Sequence, residues 1–237
     1  DEEFHGYSGP LHVKKSDRED DLLLDKFIEA GEEAGFPLTR DFNGKEQEGF
    51  SRYEHTINDT PRGPRRWSSA QAYLHPALKR KNLFNETNVT VDKLILDGKK
   101  VKGVEYVNEK GVRTSCFVNR EVILSAGALG SPQILMRSGI GDSNDITKHG
   151  IEMVHELKGV GKNLQDHYGV TSAFYATQPV TLHRSASWLS TQIAGIKYLL
   201  FGTGDAAYPP CSGGAFIKSS PDKDLPDTQL HYVSVQS

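Results

Sequence analysis

The stretch EVILSAGALGSPQILMRSGIG, residues 121–141, decides the fold class of this chain. It predicts a buried strand over 121–125, a turn of small residues, and a helix with Ser131 as its N-cap and Pro132 at its first position. Small residues let a backbone and a helix N-terminus approach a ligand closely, so the stretch is typical of a nucleotide site. The same strand–turn–helix also occurs in α/β proteins where it serves only packing. The architecture by itself therefore does not distinguish a nucleotide site from ordinary packing.

Residue identities in and around this stretch are more specific than its architecture. Four groups match, at every constrained position, the second signature of the glucose-methanol-choline (GMC) oxidoreductases: residues 127–128, 131–132, 134–135 and 138–141. Further matching segments lie in the same order along nearly the whole chain, at residues 9–11, 43–44, 49–50, 72–77, 103–106, 159–161 and 163–167. The chain therefore resembles this family of FAD-dependent alcohol oxidoreductases, and its choline dehydrogenase-like members most.

The resemblance implies an α/β fold, in which the central part of an FAD-binding α/β domain is joined to a sheet-plus-helix substrate domain. We expect residues 66–167 to belong to the FAD-binding domain. Residues 1–65 and 168–237 are expected to be two segments of the substrate domain, the second of them truncated. The later boundary is placed after His167. The predicted strand meander and the turn of small residues lie before it, and a pattern of helix and sheet follows it.

Hydrophobic periodicity and turn residues predict the individual elements. A helix is expected over 23–34, opened by a capping box of Ser16 and Glu19. Residues 38–66 are polar and contain several Gly and Pro, which predicts a long irregular loop. The remaining elements are a helix at 68–79, strands at 89–91, 93–96, 101–107, 114–118 and 153–154, a helix from 188 to 201, and strands at about 213–218 and 228–235.

For the cofactor, the resemblance implies FAD, contacted by residues of two segments. Val91, aligned with the family's equivalent strand, is expected to meet the FAD through its main chain. Ser125, Ala126 and Gly127 close the predicted strand where the cofactor is expected, and larger side chains there would obstruct its approach. Ser131 is expected to cap the helix and to lie at the same site.

For the substrate, the resemblance implies a small-molecule alcohol and a pocket residue near the end of the chain. His231 lies on the strand where choline-oxidising members place a pocket histidine, and it is our candidate for polarising the alcohol or steadying the alkoxide. Those members carry a Glu just before the equivalent of residues 213–217, where this chain has Cys211 and Ser212. Because that carboxylate is missing, Ser212 is expected to line a pocket for a neutral alcohol.

Three parts of the family pattern have no counterpart in these 237 residues: the GxGxxG fingerprint, the first signature, and the C-terminal His with its Asn or His partner. We therefore expect a central fragment of a longer enzyme that transfers hydride from an alcohol to flavin, and we assign no catalytic residue within it. Alone, the chain should neither retain FAD nor oxidise alcohols. The alternative is a degenerate, non-catalytic domain with a binding or interaction role.

Composition excludes several other classes of partner. The chain has 28 Lys and Arg against 31 Asp and Glu, a net charge of −3, which gives no electrostatic case for binding nucleic acid. No apolar run approaches the length of a membrane span. Cys116 and Cys211 lack metal-site spacing, so no metal is predicted. The oligomeric state is not indicated.

Overall fold

The computed structural model describes residues 3–15, 21–178, 180–182 and 187–234. The chain divides into two compact units, the first made of residues 1–83 and 172–237 and the second of residues 84–171. Both units mix helices and strands, as the predicted α/β class requires. Residues 66–83 cluster with the first unit, and the assignment of FAD and substrate roles to parts of the chain stays a prediction.

The labelled elements, in chain order, are β1 (Lys14–Lys15), α1 (Leu22–Glu33), β2 (Gly49–Arg52), β3 (Glu54–His55), β4 (Ile57–Thr60), β5 (Gly63–Arg66), α2 (His75–Ala77), β6 (Val89–Asp97), β7 (Lys100–Asn108), β8 (Arg113–Phe117), α3 (Gly127–Arg137), β9 (Ile140–Gly141), α4 (Ser143–Ile146), β10 (His155–Glu156), α5 (Trp188–Phe201), β11 (Gly213–Ile217) and β12 (Thr228–Tyr232). A π-helical turn at Ala70–Leu74 precedes α2, so the helix predicted at 68–79 is shorter and irregular. The strand predicted at 153–154 is found two residues later, as β10.

A three-stranded antiparallel sheet in the order β12-β11-β2 forms the centre of the first unit. Gly214 of β11 lies opposite His231 on β12 and opposite Ser51 on β2. The prediction of an irregular loop over 38–66 is therefore wrong, because this segment contains β2 to β5. The partner of β2 comes from near the other end of the chain, and no local alternation of residues reveals such a pairing.

Helix α1 covers one face of this sheet. Its Leu24 is fully buried, and the ring of Phe27 packs on Phe50 and Tyr232 with centroids 5.1 and 5.8 Å apart. The helix begins with Asp21 as N-cap, whose Oδ1 accepts the Leu24 N–H at 3.3 Å. The predicted capping box at residues 16 and 19 lies outside the described residues. Because side chains alternate along a strand, the neighbouring residues of the same strands point to the opposite face of the sheet, which α1 does not cover.

The second unit contains the predicted strand meander. β6, β7 and β8 form an antiparallel sheet in that order, with tight turns that use Gly98 at φ +56° and Gly111 at φ +77°. Helix α3 packs on β6 at its C-terminal end. There the Ser138 hydroxyl accepts the Leu94 N–H at 2.8 Å and donates to the Ile134 carbonyl at 2.6 Å. The meander is confirmed.

The strand predicted at 121–125 is not formed, and the predicted start of α3 is also wrong. Residues 121–125 are irregular, with no partner strand among the described residues, and a strand needs a hydrogen-bonded neighbour. Helix α3 begins at Gly127 with Ala126 in the N-cap position, so Pro132 lies inside the helix. Ser131 is not the N-cap, because its Oγ accepts the Ala126 N–H at 3.0 Å and the first turn forms ahead of it.

Helix α5 runs from Trp188 to Phe201, as the sequence predicts. Ser187 caps its start, and Gly202 ends it in the left-handed region at φ +67°. Its apolar side chains are largely exposed, for example Leu199 and Leu200. In the described ranges, neither this helix nor any other is both long and apolar enough to cross a membrane.

Candidate functional site

The nucleotide turn, residues 125–127, is an exposed segment at the start of α3. Gly127 has φ +82°, and apart from its chain neighbours and the backbone of its own helix, no described atom lies within 4 Å of the place where its Cβ would lie. Amides in the first turn of a helix have no helical carbonyl partner and carry partial positive charge. Small exposed residues beside the first turn of α3 fit a close approach by an anionic or strongly polar group, although the Ala126 N–H is already bound by Ser131 Oγ.

Val91 lies half-buried on β6, directly before Asp92, where the pairing of β6 with β7 shifts register. The Asp92 carboxylate is bound by Arg113 and Arg137, and Arg137 Nε also donates to the Asp92 carbonyl at 3.0 Å. These bonds fasten the last residue of α3 to the bulge in β6. Val91 and the nucleotide turn therefore belong to one unit, joined through α3.

The second candidate site is a cluster on the face of the β12-β11-β2 sheet that α1 does not cover. We call it the His231 cluster, and its members are Tyr53, Cys211, Gln229 and His231. The Tyr53 hydroxyl lies 3.3 Å from His231 Nδ1 and donates to the Leu230 carbonyl at 3.0 Å. Gln229 Nε2 donates to the Tyr53 hydroxyl at 3.3 Å, and Cys211 Sγ lies 3.7 Å from His231 Nδ1. His231 Nδ1 thus faces two polar atoms, the Tyr53 hydroxyl oxygen and Cys211 Sγ.

Burial raises the pKa of two members of the His231 cluster above ordinary values that already leave them largely neutral near pH 7. Desolvation raises the pKa of the Tyr53 phenol, and the bond from Gln229 opposes this only in part. Desolvation also raises the pKa of the Cys211 thiol. Near neutral pH, His231 therefore faces a phenol and a thiol rather than their anions.

Gly214 makes room for the Tyr53 ring. A Cβ on Gly214 would lie 2.1 Å from the Leu230 carbonyl oxygen and 2.2 Å from the Tyr53 hydroxyl. The ring of Phe42 packs on Tyr53 and on Phe216, with centroids 5.4 and 5.1 Å apart. A cavity of about 230 Å³ borders this aromatic group and is lined in part by Tyr53, Gln229 and Phe216.

Ser212 is not brought beside His231. It is 1% exposed, and its hydroxyl donates to Asp21 Oδ2 at 2.7 Å, at the start of α1. Tyr232 donates to Asp21 Oδ1 at 3.1 Å, so Ser212 belongs to a buried polar network. Of the neighbouring residues Cys211 and Ser212, it is Cys211 whose Sγ lies beside His231 Nδ1. A substrate-pocket role for Ser212 stays a prediction.

Sequence reasoning missed Tyr53 and Gln229. Gln229 could have been found, because it stands two positions before His231 on one strand and so shares its face. Tyr53 gave no such signal, since it follows a strand that was predicted as loop and reaches His231 only through the β2–β11 pairing. Asp21 was likewise not singled out, although its carboxylate joins α1 to Ser212 and Tyr232.

Comparison with known proteins establishes the family. The chain belongs to the GMC oxidoreductase family, because the model of that family matches residues 2–169. It is 42% identical over 233 residues to the mitochondrial choline dehydrogenase of Mus musculus, which covers 98% of the chain and 38% of that protein. It is equally 42% identical over 235 residues to the oxygen-dependent choline dehydrogenase of Brucella ovis, covering 99% of the chain and 41% of that protein. The predicted family and its choline dehydrogenase-like character are confirmed.

Solved structures agree on the fold. A formate oxidase of Aspergillus oryzae, studied for modification of its FAD, superimposes with a TM-score of 0.83 at 22% identity, over 98% of this chain and 44% of that one. At this identity the likeness shows the fold alone, and it supports the predicted α/β class. The chain thus spans about two fifths of the length of the curated relatives named above.

Proposed function

We propose that the chain is part of an FAD-dependent oxidoreductase that acts on the CH–OH group of an alcohol. The observation that carries this proposal is the exposed, small-residue nucleotide turn at the start of α3, inside the segment that matches the GMC family. FAD, when bound, supplies the acceptor for the hydride that leaves the alcohol carbon. Since the relatives are more than twice as long as the chain, the activity is proposed for the whole protein.

The chain's own part at the cofactor is to bind and orient it. Ser125, Ala126 and Gly127 leave the amides of α3 accessible, and Val91 offers its main chain from β6. Ser131 shapes the turn through its bond to the Ala126 N–H. The Arg137–Asp92 pair fixes α3 against β6, so that Val91 and the nucleotide turn are held in one arrangement.

At the substrate, His231 is proposed to contact the alcohol hydroxyl. Two observations support this role. The His231 ring is exposed on the face of the sheet that α1 does not cover, and its Nδ1 lies 3.3 Å from the Tyr53 hydroxyl. The contact would polarise the O–H bond or steady the alkoxide that forms as the carbon is oxidised. No other side chain of this chain is assigned to the reacting hydroxyl.

The function is tested on the full-length protein by two measurements. Flavin absorbance after purification should show FAD bound in equimolar amount, and an artificial electron acceptor should be reduced when an alcohol is added. A protein that binds neither FAD nor alcohol, though folded, would contradict the proposal and favour the non-catalytic alternative.

A substitution in the nucleotide turn should weaken the affinity for FAD. Ala126→Leu places a branched side chain over the first turn of α3, and we expect about a tenfold higher Kd, equivalent to about 1.4 kcal/mol. FAD titration of the apoprotein measures it. Ala30→Leu, which adds the same atoms at an exposed position of α1, is the control and should leave the Kd unchanged. Equal affinities in both variants would remove the turn from the FAD site.

We further propose that a neutral alcohol is preferred over choline, although the relatives named above are choline dehydrogenases. The support is Cys211, one of the two residues that, by the resemblance, stand where choline-oxidising members carry a Glu. Its Sγ lies 3.7 Å from His231 Nδ1, and burial raises the pKa of its thiol, so it carries no negative charge near neutral pH. A quaternary ammonium gains from a carboxylate at close range, and a thiol gives no such attraction.

The preference is measured as kcat/KM for choline and for a neutral primary alcohol of similar size at one pH. We expect the neutral alcohol to be favoured by about tenfold or more, and Cys211→Glu to shift the ratio toward choline. Ser212→Glu is unsuitable, because it would bury a second carboxylate against Asp21. A wild-type preference for choline would overturn the placement of the cation site.

A further inference from the structure

The contact between Tyr53 and His231 supports the function proposed above through its effect on the imidazole. We propose that Tyr53 is a positioning residue that holds His231 in the tautomer protonated at Nδ1, leaving Nε2 as a hydrogen-bond acceptor for the alcohol hydroxyl. This inference rests on the proposed function, since it specifies how His231 would meet the substrate. It follows from the hydrogen bonds around the Tyr53 oxygen.

The Tyr53 hydroxyl has one proton, and that proton has a committed acceptor. The Leu230 carbonyl, 3.0 Å away, can only accept, so the hydroxyl donates to it. The lone pairs of the Tyr53 oxygen are then left for donors. Gln229 Nε2 is one donor at 3.3 Å, and His231 Nδ1 lies at the same distance. An acceptor that faces Nδ1 favours the proton on Nδ1 and therefore a bare Nε2.

Cys211 is the competing neighbour of Nδ1, at 3.7 Å. A thiol is a weak donor and a weak acceptor, and burial holds this one in its neutral form. It therefore competes poorly with the phenol oxygen for control of the tautomer. The phenol stays neutral for the same reason, since burial raises its pKa as well.

The structure holds Tyr53 in place from three sides. Its N–H donates to the Ser212 carbonyl at 2.9 Å, the ring of Phe42 packs against it, and Gly214 leaves the space that its hydroxyl occupies. His231 itself is exposed, and the hydrogen-bond contacts of its ring to described residues, Tyr53 and Cys211, are both at Nδ1. Tyr53 thus fixes the buried side of the imidazole while the outer nitrogen remains available.

The tautomer can be measured without FAD or substrate. The full-length apoprotein is labelled with ¹⁵N-histidine, and long-range ¹H–¹⁵N correlation spectra are recorded above the titration range of histidine, with His231→Gln to assign the signals. We expect the Nδ1–H form to dominate at His231. In Tyr53→Phe the ratio of Nδ1–H to Nε2–H should fall by about two- to tenfold, which is the effect of one lost hydrogen bond.

Tyr198→Phe is the matched control, because it removes another tyrosine hydroxyl that donates to a backbone carbonyl, that of Pro64. It should leave the His231 tautomer unchanged. A dominant Nε2–H form in wild type, or an unchanged ratio in folded Tyr53→Phe, would overturn the proposal. If Tyr53→Phe does not fold, Cys211→Ala decides: a retained Nδ1–H form supports Tyr53 as acceptor, and its loss assigns that role to the thiol. Absence of alcohol oxidation would leave this result standing.

Discussion

Asp21→Ala should lower the free energy of unfolding of the chain by about 2–4 kcal/mol, a large part of the stability of an ordinary domain. The substitution removes the N-cap of α1 and the buried acceptor of the Ser212 hydroxyl. A lost cap costs about 1 kcal/mol, and each buried donor left unpaired costs about 1–3 kcal/mol more.

Urea unfolding followed by tryptophan fluorescence measures this loss, since Trp67 and Trp188 both belong to the first unit. Ser187→Ala is the control, because Ser187 caps α5 by accepting the Ser190 N–H from an exposed position. It should cost no more than about 1 kcal/mol. If the two variants lose equal stability, the Asp21 network contributes only its cap.

His231→Ala should lower kcat/KM for the alcohol by about a hundredfold or more in the FAD-loaded full-length protein, with the FAD content unchanged. A positioned side chain that polarises a reacting hydroxyl contributes typically about 10² to 10⁴-fold. The ring lies on the open face of the sheet and is not part of the buried core, so its removal should act on the reaction more than on folding.

Steady-state kinetics with flavin quantitation distinguish the two effects. His155→Ala removes another exposed histidine, on β10 in the second unit, and should leave kcat/KM as in wild type. His231→Gln keeps a side chain that can hydrogen-bond and should restore part of the activity. Equal activity of His231→Ala and wild type would show that the alcohol binds elsewhere.

Elements with strong local signals were predictable from the sequence. The start and end of α5 follow from Ser187 as a capping residue and Gly202 as a left-handed terminator, and the β6–β8 meander follows from alternation broken by Gly98 and Gly111. These features depend only on neighbouring residues, so a single sequence contains all the information they need.

Features that depend on distant partners were not predictable. β2 is a strand only because β11 pairs with it, and residues 121–125 have no such partner among the described residues. At the candidate site, the alternation of β12 placed His231 on an open face, but nothing local showed that Tyr53 would meet it. The bond of Ser212 to Asp21 likewise depends on the packing of α1, and its expected place in a substrate pocket stays a prediction.

The absence of a side chain at Gly214 limits how this protein could be redesigned. Any residue larger than glycine there would collide with the Leu230 carbonyl and the Tyr53 hydroxyl, so even alanine would displace the phenol before it altered the space next to His231. A library that varies the substrate pocket should therefore keep glycine at this position and vary Cys211, which contacts the imidazole and lies outside β11. Selection on alcohol size would then act on the pocket while the support of His231 stays intact.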